Sequence, residues 1–242
     1  EINAVYAVDD LGGTEEDPGD GIPDKYQVVV TYDTDGNGYV TAEEAETATE
    51  VVTLYKDGEP AAGWALPGDP DAKGSTKAEG IVATAKDGYA FDKWVYEDGS
   101  CPDAVPADIP VTGEMTITAQ FAADENGDNI PDKYQIIFTY KSENDATGKV
   151  TGTTYEVHTF YEDEEETTYA TPSEISPNRE IKVEAEKGFA FDHWYVDGDQ
   201  ERTDYTEAMD VLGAEKYSED TTFVAVFSED NKGGTDPEDP GD

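Results

Sequence analysis

The chain has 242 residues, in which 58 Asp and Glu outnumber 15 Lys and Arg to give a formal charge of −43. A surface this acidic repels nucleic acid and anionic membrane and disfavours phosphate-rich ligands, leaving cations or basic partners as the favoured company. The length suits two domains of about 100 residues each. The charge is interleaved with apolar residues and 11% aromatics, including 15 Tyr, which excludes one long disordered acidic tail.

Taken in chain order, the sequence says nearly the same thing twice. Glu1-Ile2-Asn3-Ala4-Val5-Tyr6-Ala7 reads as the tail of an earlier copy, and Asp9 to Asp20 is an acidic Gly/Pro linker expected to stay extended. Gly21-Ile22-Pro23-Asp24-Lys25-Tyr26-Gln27 opens the first copy and returns as Asn129-Ile130-Pro131-Asp132-Lys133-Tyr134-Gln135. Period-two alternation follows: Tyr26, Val28, Val30 and Tyr32 share one strand face, as do Tyr134, Ile136, Phe138 and Tyr140. Val51 to Tyr55, Glu156 to Tyr161 and Glu180 to Ala185 are further predicted strands.

Gly88-Tyr89-Ala90-Phe91-Asp92-Lys93-Trp94 returns as Gly188-Phe189-Ala190-Phe191-Asp192-His193-Trp194. Thr116-Ile117-Thr118-Ala119-Gln120-Phe121 returns as Thr222-Phe223-Val224-Ala225-Val226-Phe227, with Ile117, Ala119 and Phe121 matching Phe223, Ala225 and Phe227 as inward positions. Thr41 to Thr49 permits helix, and Tyr205 to Lys216 has room for a turn or two. The stretch from Gly233 to Asp242 nearly repeats Gly12 to Asp20. The fold expected is therefore mostly β: two tandem small antiparallel β domains, β-grasp-like, with little helix. The boundaries are 1–19 (tail and linker), 20–123 (first repeat), 124–130 (junction), 131–229 (second repeat) and 230–242 (linker). Arrays of this kind point to display, spacing or multivalent binding before catalysis.

Asp33-Thr34-Asp35-Gly36-Asn37-Gly38-Tyr39-Val40-Thr41-Ala42-Glu43-Glu44 has the ligand spacing of a calcium loop. Ca2+ takes six or more hard oxygens, and Asp33, Asp35, Asn37, the Tyr39 carbonyl, Thr41 and Glu44 would supply them. The competing reading is a hairpin turn, since Asp-Gly-Asn-Gly is favourable turn chemistry. In the junction, Asp124, Asn126, Asp128, the Ile130 carbonyl and Asp132 offer a second ligand set, with Gln135 where a distal acid is usual. This stretch resembles the calcium-binding Asp-rich loops of thrombospondin type 3, and bound Ca2+ would stiffen the hinge by offsetting carboxylate repulsion. A solvated polar linker is the alternative. The first copy offers only Asp17, Asp20 and Asp24 at the matching place.

Trp94 and Trp194 are expected in the core. Trp64, beside Gly63 and Pro67 in a loop without a counterpart, is the candidate exposed platform for a sugar or partner. His158 and His193 lack Cys or His neighbours at metal spacing. Cys101 is the single cysteine, so no internal disulfide forms, and its acidic surroundings do not activate a thiol. No Ser-His-Asp context or phosphate loop is present, and Lys and Asn are too scattered to name an isopeptide trio. The expectation is a non-enzyme.

The run Ala83 to Trp94, then Asp98-Gly99, then Thr116 to Phe121, resembles the bacterial InlB B-type repeat, as does the second copy from Val183 through Trp194 and Asp197-Gly198 to Phe227. The resemblance covers the C-terminal half of each copy; the N-terminal half looks like longer modules of wall-anchored proteins. It implies a small β-grasp domain on an extracellular, wall-attached Gram-positive surface protein, acting as stalk or adhesive module. Host or cell-surface glycoprotein or carbohydrate would be the partner. Neither nucleic-acid binding nor direct membrane insertion is expected, and the chain should be monomeric within its array. An accessory region of a larger secreted enzyme is the remaining alternative.

Overall fold

Alternation along Gln27–Thr34 makes β1, whose inward side chains Val28, Val30 and Tyr32 are at most 2% exposed. The computed structural model describes residues 3–57, 59, 63–75, 78–102, 105–177, 181–198 and 215–230. The chain divides into two units, Glu1–Asp132 and Lys133–Asp242, so the junction loop belongs to the first.

In the first unit β1 is followed by β2 (Gly38–Thr41), β3 (Ala48–Thr53), β4 (Tyr55–Lys56), β5 (Ala72–Ser75), β6 (Ile81–Ala85), β7 (Tyr89–Tyr96), β8 (Pro110–Val111) and β9 (Met115–Ala123). The main sheet has the order β3-β1-β9-β7. β3 is antiparallel to β1, β9 runs parallel to β1 with Tyr32 opposite Ile117, and β7 is antiparallel to β9. The second unit repeats this with β10 (Gln135–Ser142), β11 (Gly148–Gly152), β12 (Tyr155–Thr159), β13 (Ile181–Ala185), β14 (Phe189–Val196) and β15 (Thr221–Glu229). Its sheet order is β12-β10-β15-β14, again with a parallel centre, β10 beside β15.

The mostly β class expected from sequence is what forms, with the same strand order in the main sheet of each unit. Two features refine the expectation. The central pair is parallel, which requires a long crossover; that crossover carries extra short strands, including the antiparallel pairs β2–β6 and β11–β13. Helix among the described residues is confined to 3-10 turns at Asp24–Tyr26, Pro106–Asp108 and Asp132–Tyr134. Thr41 to Thr49 is not helical. The stretch Tyr205 to Lys216 and the linker after Asp230 lie largely outside the described residues.

Each core is built around the same four aromatic rings. Phe91 and Trp94 are three residues apart, which strict alternation would send to opposite faces. A β-bulge at Asp92 resolves this, because the pairing with β9 shifts between Phe91 and Lys93; the shift recurs between Phe191 and His193. Phe91 then lies 5.8 Å from both Trp94 and Phe121, and Trp94 lies 6.4 Å from Tyr32. The second unit repeats the set with Phe191 6.0 Å from Trp194 and from Phe227, and Trp194 6.4 Å from Tyr140. Large aromatic areas thus supply burial in domains short of Leu and Met.

The closing-strand phenylalanines need space on their far side. A Cβ on Gly38 would collide with the Phe121 ring, and one on Gly148 with the Phe227 ring. Gly148→Ala is therefore expected to lower the stability of the second unit by about 1–3 kcal/mol. Urea unfolding followed by tryptophan fluorescence measures this; an unchanged midpoint would show that the ring yields freely.

Candidate functional site

The junction loop is organised by one buried carboxylate. β9 ends where the Asp124 amide donates to the Gly88 carbonyl at 3.0 Å, which turns the Asp124 side chain inward to 5% exposure. Its Oδ1 accepts the Gly127 and Asp128 amides at 2.7 and 3.2 Å, and Oδ2 accepts the Asn129 amide at 2.9 Å. Asn126 Oδ1 accepts the Asp128 amide, Asp128 Oδ1 accepts the Ile130 amide, and Asp132 Oδ2 accepts the Glu125 amide. Gly127 and Asn129 take φ of 74° and 66°, the left-handed conformation that Gly and Asn adopt at least cost. The structure thus draws Asp124, Asn126, Asp128 and Asp132 into one loop, which is a folded turn rather than a solvated linker.

The loop leading into the first unit has the same wiring, which the sequence reading missed. Asp9 stands in the place of Asp124: its Oδ1 and Oδ2 accept the Asp20 and Gly21 amides, both at 3.0 Å. Asp20 Oδ1 accepts the Ile22 amide as Asp128 accepts that of Ile130, and Asp24 Oδ1 accepts the Asp10 and Leu11 amides. Gly21, with φ 86°, takes the place of Asn129. The intervening residues do not run extended as expected. They fold back on themselves through Gly13 N–H to Pro18 O at 2.8 Å and a Gly12–Gly19 bridge. Residue spacing hid the equivalence because this excursion is inserted between Asp9 and Asp20. The usable signal was that Asp9 follows Ile2, Ala4 and Tyr6 as Asp124 follows Ile117, Ala119 and Phe121.

The other predicted calcium loop, Asp33 to Glu44, takes the form of a turn between β1 and β2. Asp35 Oδ1 accepts the Asn37 amide and Oδ2 the Phe121 amide, both at 3.0 Å, so this carboxylate secures the closing strand. Asp33 Oδ1 accepts the Thr34 amide and the Thr47 hydroxyl. Tyr39 and Thr41 lie in β2, and Glu44, exposed with φ 62°, forms a separate turn onto the Thr41 carbonyl. Lys86 brings its ammonium to the Gly36 carbonyl at 2.8 Å and to Glu46, over the Tyr39 ring. The hydrogen bond to Glu46 raises the Lys86 pKa above its ordinary value. A protein cation already stands against this turn.

Trp64 is half-buried, with its ring 4.9 Å from Tyr26, which also carries Lys25 Nζ at 4.8 Å over its face. It does have a counterpart: Tyr169 stacks on Tyr134 at 4.9 Å, under Lys133. His158 pairs with the buried Glu156 at 2.9 Å, and Glu156 also accepts the Tyr140 hydroxyl at 2.7 Å. Cys101 is exposed. Among the described residues no group of three or more His, Cys, Asp or Glu is arranged to hold a metal ion, and no helix is long and apolar enough to cross a membrane. Compared with protein-family models, curated proteins and solved structures, the chain matches none.

Proposed function

We propose that this chain is a non-catalytic stalk segment of an extracellular bacterial surface protein, built from tandem β modules, with Ca2+ bracing the loop Asp124 to Asp132. The observation that carries the reading is repetition below the level of fold. The two units share the parallel-centred sheet, the bulge and the four-ring core, and the carboxylate-wired loop occurs twice as well.

Three features of the junction support Ca2+. Acceptors recur at alternate positions 124, 126, 128, with the Ile130 carbonyl and Asp132 following. The sixth residue, Asn129, has the positive φ that the tight calcium turn requires. An ionised carboxylate has about four lone-pair sites, and the three amides at Asp124 leave one of them for a cation. The resemblance to InlB B-type repeats agrees with a surface array.

Thermal unfolding with excess chelator and with millimolar Ca2+ tests the reading. A site of about 10 μM raises stability by roughly 2.7 kcal/mol at 1 mM ligand. The expected result is an upward shift of the first unit's transition that Mg2+ does not reproduce. No shift with Ca2+ would remove calcium from the account.

A further inference from the structure

β9 and β15 are interior strands, each parallel to one neighbour and antiparallel to the other. Taking either away opens two strand edges at once. Their inward residues are almost fully buried: Ile117 and Ala119 are 0% exposed and Phe121 6%, while Phe223 and Ala225 are 0% and Phe227 8%. Each strand ends at an acid whose amide donates to a glycine carbonyl, Asp124 to Gly88 and Asp230 to Gly188.

Residues 1–9 have the same pattern, Ile2, Ala4, Tyr6 and then Asp9. Asp9 does the work of Asp124 in the loop that follows, and Val8 O is held by the Asp24 amide at 3.0 Å. Yet residues 3–8 belong to no strand. Tyr6, in the place of Phe121 and Phe227, is 91% exposed, and Val5, in the place of the 8%-exposed Val226, is 94% exposed. Apolar side chains at alternate positions on an unpaired segment are the signature of a strand whose sheet lies elsewhere.

We propose that residues 3–8 form part of the closing strand of another copy of this module body, inserting between its β1-type and β7-type strands with Ala4 and Tyr6 in its core. The occupant is specified by the complement. It must offer a parallel neighbour on one edge, an antiparallel neighbour on the other, and an aromatic cluster facing Tyr6, which is what this module offers Phe121 and Phe227. Each module in such an array would be finished by a strand covalently continuous with the next module's lead-in loop. The inference rests on the tandem-repeat reading, but its test addresses strand complementarity alone and can fail while the calcium test succeeds, or the reverse.

The test is a graft within the full chain, replacing residues 116–124 by the sequence of residues 1–9. The first unit is expected to keep a cooperative transition, with a midpoint lowered by no more than about 8 °C. The same graft carrying A4D and Y6D should lose that transition. Loss of the transition in the unsubstituted graft overturns the proposal, as does its survival in the doubly substituted one.

Discussion

Trp194→Ala is expected to unfold the second module while leaving the first standing. Trp194 is 2% exposed and touches Tyr140 and Phe191 in a core that contains none of the first unit's residues. Truncating a buried aromatic costs about 3–5 kcal/mol, comparable to the whole stability of a small domain. Urea unfolding of the variant should show one transition near its wild-type midpoint and one moved to low denaturant. Equal loss in both transitions would mean that the units unfold as one body, against the modular account. The matching Trp94→Ala change should cost less, because Trp94 is only partly buried.

Asp124→Ala is the second large effect. Three loop amides converge on this one carboxylate. Hydrogen bonds to a charged acceptor contribute about 1.5–3 kcal/mol each, and a buried donor left without a partner bears a full desolvation cost. Because the amides share one acceptor, the losses do not add, and we expect about 2–4 kcal/mol from the first unit. Hydrogen exchange should show protection lost at Gly127, Asp128 and Asn129, with Asp124→Asn recovering part of it. Retained protection at these amides would show that the backbone turn holds without its acceptor.

Much of the fold was legible because the two copies constrain each other. The inward assignments of Ile117, Ala119 and Phe121 follow from matching Phe223, Ala225 and Phe227, and β1 and β10 follow from plain alternation. The bulge was implicit in the Phe-x-x-Trp spacing, since a flat strand cannot bury both rings. The crossover sheets were legible only in part: Glu180 to Ala185 reads as a strand and forms β13, but the strands that it and β6 pair with were not. Gly38 to Thr41 carries calcium-loop spacing, and only the tertiary pairing with β6 makes it a strand. Likewise Asp35 looked like a ligand because nothing in the local sequence reveals that Phe121, far along the chain, presents its amide to it. Asp9 was hidden because ten residues separate it from Asp20 where three separate Asp124 from Asp128, and spacing arguments assume loops of equal length. Trp64 seemed unmatched because its counterpart at the matching place in the second module, Tyr169, is a different aromatic in an otherwise dissimilar loop.

The most direct test of a calcium-braced joint is the distribution of separations between the modules. The exposed Cys101 provides one label position, and Lys182→Cys on β13 provides a second. Single-molecule energy transfer should then give a broad distribution in chelator and a narrower one in millimolar Ca2+, with Mg2+ leaving it broad. The Asp124→Ala variant should stay broad in both. A distribution of the same width with and without Ca2+ would contradict the account.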